Sequence, residues 1–384
     1  MGLSFVICSQ AEAPVRVNAI VSLVILLVMV GVGFCRLVRS RDSVPAFRSP
    51  RNELLEFFRV WFTLGIVVYH ILLEHDVQSE LWIGVEFFFV VSGVFLLRVR
   101  TSPMPFGRFV LKRILKLYPL LLFGCLLCAV CYPVKSSFLM RDLTLRSGVV
   151  KQWAFNGPAW FVSVLMLATV VHGLLLRLPR RRVRTLTLLG VTLVSGVLAA
   201  LNEFGYSGGY VAGISVRNFR GLFDVGVGLL VAAVFGVGTI HTEGPRWIRK
   251  LIGDVFCLCA LALPFCRWIY MDWVWVAPVC LSLAVCHVLR SDVLLFAGLS
   301  KVRWSCLSRY TMAVFLTHCA VVYCIKAWQW QAVVWPILPI LALGVFAHFV
   351  IERPFRSLTE RVDVALCGAV SKIKDKWRAR NEKI

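Results

Sequence analysis

The segment "FFRVWFTLGIVVYH", residues 57–70, sets an arginine, Arg59, and a histidine, His70, into an otherwise apolar run. An ionisable side chain inside a bilayer is expensive, so a span that keeps two of them points to a use. The separation of eleven residues is close to three whole α-helical turns, which puts both side chains on one face, about 16 Å apart along the axis. That face carries a permanent cation at one end and, at the other, an imidazole whose charge changes near neutral pH. The pair suits anion stabilisation combined with proton transfer. Glu86, in "LWIGVEFFFVVSGVF", lies about as far after the intervening turn as His70 lies before it. A hairpin would bring the two to similar depth, where a carboxylate would orient the imidazole and raise its basicity. The alternative for Glu86 is a structural polar contact. Ser92 and Gly93 in the same run offer either a hydroxyl nucleophile or close helix packing. No base is placed beside Ser92 in sequence, so packing is the preferred reading. Arg108, Lys112, Arg113 and Lys116 recur at helical spacing in "RVRTSPMPFGRFVLKRILKLYP" and form a basic stripe suited to phosphate groups, over and above ordinary flanking charge.

The elements that must hold these groups are membrane helices. Of 384 residues, 59% are hydrophobic and only 16% charged, too apolar for a soluble domain. Apolar runs near the length needed to cross a bilayer recur throughout. The predicted fold is all-α, a polytopic transmembrane bundle of about eleven spans: 18–36, 54–74, 80–98, 114–133, 157–176, 185–202, 220–239, 249–266, 269–289, 308–327 and 331–352. Pro264 and the polar patch from Arg267 to Asp272 mark a short turn between two of them. The net charge of +22 would suit nucleic acid if it were clustered on one surface. It alternates instead: segments 36–53, 98–116, 177–184, 240–250, 290–309 and 353–384 hold 32 of the 42 Lys and Arg. This is the positive-inside pattern, which places the C-terminus in the cytoplasm and excludes nucleic acid as the explanation. Anionic lipid heads are the expected partners of the excess charge.

Three parts follow: an extra anchor with its linker (1–46), a membrane body (47–358) and a basic cytoplasmic tail (359–384). The first span lacks a basic segment ahead of it and has basic residues after it, unlike a signal peptide. The 14 cysteines lie mostly in apolar runs and read as small packing residues. Cys125, Cys128 and Cys131 share a helical face, but no metal site is expected.

Several pieces together resemble the acyltransferase-3 family of integral membrane O-acyltransferases. Arg59 and His70 match its R-x(10)-H motif. "GVEFFFVVSG" (84–93) is similar to its G-V-x-x-F-F-x-x-S-G span. Arg113 and Lys116 stand at its R-x-x-R motif before L-Y-P, with lysine at the second position, which keeps the charge but not the bidentate fork. "NGPAWFVSVLML" resembles the N-x-x-x-W-F-L opening and aligns Trp160. "NFRGLFDVGVGLL" aligns Arg220, "SRYTMAVFLTHCAVV" aligns His318, and "FVIERPF" resembles the closing I-E-x-P-F with Glu352 and Pro354. The resemblance covers residues 52–356, ten of the eleven spans.

The resemblance implies transfer of an acyl group, commonly acetyl, from cytoplasmic acyl-CoA, a co-substrate with no further cofactor, to a hydroxyl of a cell-surface carbohydrate or glycolipid. It implies a bacterial inner-membrane location. His70 would be general base or acyl carrier, with Arg59 and Glu86 assisting. Arg113, Lys116 and Arg108 would bind acyl-CoA. Trp160, Arg220 and His318 would face the acceptor, and Ser92, Gly93 and Glu352 would be structural. The alternative is a transporter of a polysaccharide-related ligand, since transporters also hold ionisable groups at mid-membrane. No internal repeat of the transporter kind is visible.

Overall fold

The computed structural model describes residues 52–101, 104–132, 135–148, 154–202, 209–235, 245–266, 275–328, 334–358 and 360–361. The expected first span and its linker, the 267–272 turn and nearly all of the basic tail lie outside the described residues.

The described chain is almost entirely helical, with one two-stranded ribbon pairing Tyr210–Val211 against Ile214–Ser215. Eleven longer helices follow in order: α1 (Glu53–Glu74), α2 (Gly84–Leu96), α3 (Phe106–Cys131), α4 (Ser136–Leu143), α5 (Ala159–Leu176), α6 (Arg181–Leu201), α7 (Val216–Phe235), α8 (Arg246–Ala262), α9 (Val276–Leu289), α10 (Thr311–Ala327) and α11 (Ile337–Leu358). Six of these, α1, α3, α5, α6, α7 and α11, are long and apolar enough to cross a membrane. The protein is thus a multi-pass membrane protein. A helix sits at each of the ten expected spans from residue 54 onward, but four are shorter or more amphipathic than a spanning helix. A 3-10 turn at Leu81–Ile83 takes the start of the second, leaving α2 only 13 residues.

α1 carries both Arg59 and His70 on one unbroken helix, as their spacing predicts. Its start is fixed locally. The Asn52 side chain accepts from the Leu55 N–H at 3.1 Å, and Glu53 and Glu56 complement the positive end of the helix dipole. The Asn52 amide also donates to the Val288 carbonyl at 2.9 Å, tying α1 to α9.

The centre of the bundle is the contact between α2 and α7. A side chain at Gly93 would run into the Val225 carbonyl, and one at Gly228 into the Val90 carbonyl. These two glycines, one on each helix, let the backbones touch, the packing that small residues permit between membrane helices. Phe62, Phe87, Phe89 and Phe223 fill the surrounding core and are all essentially inaccessible. α10 packs between α1, α3 and α11 and brings its histidine to α1.

Candidate active site

Two polar centres lie at opposite ends of α1. At the His70 end, the His70 ring sits 5.0 Å, centroid to centroid, from the ring of His318 on α10. His318 is fully buried. Its Nδ1 lies 2.8 Å from the Phe315 carbonyl, an acceptor, so this nitrogen carries the hydrogen and Nε2 keeps a lone pair. Cys319 Sγ is 3.5 Å from that Nε2. One nitrogen from each histidine and the Cys319 sulfur lie within 4.8 Å of one another, a donor set that suits a thiophilic divalent ion.

The loop before α5 forms the floor of this centre. A Cβ at Gly157 would stand 3.0 Å from Cys319 Sγ and 3.5 Å from His70 Cε1, so the backbone here approaches the imidazole closely. Asn156 anchors the loop from both sides. Its amide donates to the Leu316 carbonyl at 3.1 Å, and its backbone N–H donates to Asp142 Oδ2 at 2.7 Å. Asp142, on the short helix α4 between two spans, is fully buried. Burial pushes its carboxyl up to about 6, only partly offset by the N–H groups of Asn156 and Phe155 and by Ser147. In the folded protein Asp142 therefore binds a proton at higher pH than it would in the unfolded chain. Its contribution to stability grows as pH falls from about 6 towards 3.8, the ordinary value of an aspartate, and becomes a penalty above that window. The Asp142→Asn variant is expected to flatten the thermal stability profile across this window. An unchanged slope in melting temperature from pH 4 to pH 6 would count against the assignment.

Glu86 does not meet His70. Its Oε1 accepts from Arg220 Nε at 2.6 Å, in an ion pair whose side chains are 6% and 1% exposed. Asp224, one turn beyond Arg220 on α7, adds a second carboxyl against Glu86. The hairpin argument fixes the depth of Glu86 but not its direction around the helix, and α2 turns that residue towards α7. The Arg220 guanidinium lies over the Trp82 ring at 4.8 Å. Arg220 is thus a buried strut joining α2 to α7. Arg217, one turn earlier, is laid over Trp160 at 5.1 Å and has Tyr69 within electrostatic reach. Arg217 is the arginine at the Trp160 surface.

At the other end of α1, Arg59 pairs with Glu56 at 3.1 Å, and Glu56 in turn accepts from the Ser308 hydroxyl at 2.5 Å. The basic stripe of α3 meets this end. Arg113 donates to the Ser92 hydroxyl at 3.0 Å, which gives Ser92 a polar role that neither the nucleophile nor the packing reading foresaw. Lys116 stands within electrostatic reach of Arg59, Arg113, Arg356 and Glu352. Arg108 is half-buried near the start of α3. In α11 a π turn, His348–Glu352, brings Glu352 against His348 Nδ1 at 2.9 Å, and Arg356 donates to the same carboxylate at 2.6 Å.

A search of known families matches residues 52–352 to the one described as Acyltransferase domain. The chain belongs to the acyltransferase-3 family. The match spans α1 through the π turn of α11 and so contains both polar centres. No curated protein and no solved structure matches the chain. Within this acyltransferase, His70 and His318 come together, as do Arg59, Arg113 and Lys116, while Glu86 and Arg220 form a separate pair. Sequence reasoning missed Gly157, Asp142, Arg217, Asp224 and Cys319. Asn-Gly-Pro at 156–158 and the one-turn spacing of Arg217, Arg220 and Asp224 were the available signals.

Proposed function

We propose that the protein is an O-acyltransferase that moves an acyl group, acetyl in the simplest case, from cytoplasmic acyl-CoA to a hydroxyl of a cell-surface carbohydrate or glycolipid. The observation that carries this reading is the pairing of His70 with His318 at one end of α1, with the Arg59–Arg113–Lys116 cluster at the other. The charge asymmetry of the loops supports a cytoplasmic position for the cationic end, where the anionic donor would be found; a bacterial inner membrane is part of this proposal. The diphosphate of CoA would lie on Arg113, Lys116 and Arg108, since guanidinium and ammonium groups pair strongly with phosphate oxygens. Its long pantetheine arm would run beside α1 and deliver the thioester towards His70. That explains why the cation and the base are separated by three helical turns.

In this mechanism neutral His70 accepts the proton of the acceptor hydroxyl as that oxygen attacks the thioester carbonyl. The C–S bond then breaks, and the departing CoA thiolate takes the proton back from the imidazolium. His318, whose Nδ1 is held by the Phe315 carbonyl, positions His70 and lends a second lone pair to the centre. The Gly157 loop limits the room around the ring. Trp160 with Arg217 offers an aromatic and cationic surface for a sugar.

The test is transfer of labelled acetyl from acetyl-CoA to membrane glycolipid or polysaccharide by purified protein in lipid nanodiscs. Export of unmodified acceptor without any acylated product would favour a transporter and overturn the reading. The double variant Arg113→Gln, Lys116→Gln is expected to raise KM for acetyl-CoA about tenfold with kcat little changed, the loss of roughly one charge-assisted hydrogen bond. Wild-type KM in that variant would remove the stripe from the donor site.

A further inference from the structure

Beside the donor stripe, but separate from it, lies a cavity of about 270 Å³ lined by Arg309, His348, Arg353 and Arg356. It joins the start of α10 to the far end of α11, on the face with the excess of basic loop residues. Its walls are partly preorganised. One Glu352 oxygen receives Arg356 and the other receives His348, so a single buried carboxylate holds two of the four lining side chains. The cavity also connects to the stripe, because Lys116 lies within electrostatic reach of both Arg356 and Glu352. Three guanidinium charges set against the one Glu352 carboxylate leave an excess of two. That matches a phosphate monoester, which carries close to two negative charges at neutral pH, better than the single charge of a phosphodiester.

We propose that Arg309, Arg353 and Arg356, with His348, form a second phosphate-binding site, and that its occupant is the 3′-phosphate of the donor CoA. This deepens the acyl-CoA reading above and rests on it. The donor is then held at two places. Its diphosphate lies along Arg113 and Lys116, and its ribose phosphate monoester lies in the cavity between α10 and α11. The other source of the same chemistry is the phosphate of an anionic lipid head, which would reach the cavity from the membrane plane.

The experiment compares acetyl-CoA with 3′-dephospho-acetyl-CoA as donors, using wild type and the double variant Arg309→Gln, Arg353→Gln, in nanodiscs of phosphatidylcholine alone and of phosphatidylcholine with phosphatidylglycerol. Arg356 is left intact because it braces Glu352. The wild type is expected to use acetyl-CoA with a KM about tenfold below that for the dephospho donor, and the variant to lose this preference while handling the dephospho donor like wild type. Equal weakening of both donors, or of neither, overturns the assignment. So does an effect confined to phosphatidylglycerol discs and accompanied by loss of co-purified anionic lipid in native mass spectrometry, which would make this a lipid-head site. Equilibrium dialysis with adenosine 3′,5′-bisphosphate separates the levels of failure. A wild type that transfers acetyl but shows no variant-sensitive binding loses only this site. A wild type that neither binds the bisphosphate nor uses acetyl-CoA loses the donor reading, and this proposal with it.

Discussion

The His70→Ala variant is expected to lose between about a hundredfold and ten-thousandfold in kcat, the usual worth of a positioned general base, while folding and binding acyl-CoA normally. The reason is geometric. His70 sits near one end of a helix whose packing does not depend on it. Of its neighbours, His318 is held by the Phe315 carbonyl and the Gly157 loop by the two hydrogen bonds of Asn156. Removing the imidazole leaves space in the centre without disturbing α1 against α10. His318→Ala should cost less, because that histidine acts through His70, and it should also displace the pH–rate profile, since the neighbour that tunes the base is gone. The measurement is single-turnover acyl transfer over a pH series, with thermal stability in the same buffers as the control for folding. Full activity in His70→Ala would sink the base assignment whatever the donor proves to be.

The second large effect concerns stability. Arg220→Ala leaves the Glu86 and Asp224 carboxyls facing each other in the core without their shared cation. Breaking a buried pair by removing one partner costs about 3–5 kcal/mol, a large share of the margin by which most folds are stable. The variant is expected to be poorly recovered from the membrane and to unfold at markedly lower temperature. Glu86→Gln provides the contrast. If Glu86 oriented His70, that change would displace the pH–rate profile. Because Glu86 instead receives Arg220, the profile should keep its position while the melting temperature falls. A displaced profile with unchanged stability would reverse the assignment.

These two expectations show which parts of the site were legible in the sequence. Arg59, His70 and the stripe around Arg113 were legible because local periodicity fixes them. Residues on one helix keep their mutual placement whatever the rest of the chain does. The same rule fixed the one-turn relation between Arg220 and Asp224, though not what they face. For Glu86 the structural-contact alternative is the one seen, and its partner could not be named because it is 134 residues away and depends on how α2 rotates against α7. That rotation goes with the close approach of Gly93 and Gly228 to the facing backbones; the local pattern marks Gly93 for packing but not the helix it faces. His318 was reachable only through the family resemblance, since a lone histidine in an apolar run has no periodic signature. Asp142 and Gly157 were missed for a further reason: each works by supporting a loop, and only the Asn-Gly-Pro turn at 156–158 hinted at it. The span count was limited differently. Hydropathy sees apolar length, whereas the 3-10 turn before α2 shortens the helix without changing that length.

The π turn of α11 bears on how this protein can tolerate change. A π turn closes its ring one residue later than an α turn, so everything beyond Glu352 is displaced around the helix axis by about the 100° that one residue contributes. Arg353 and Arg356 owe their bearing to that displacement. Deleting a single residue within 348–352 would leave the composition of the helix nearly intact and its apolar length sufficient. It would nonetheless swing both arginines away from Arg309 and, for a deletion between His348 and Glu352, break the spacing that pairs those two residues. Substitutions on this segment should therefore be tolerated far better than a one-residue change in its length.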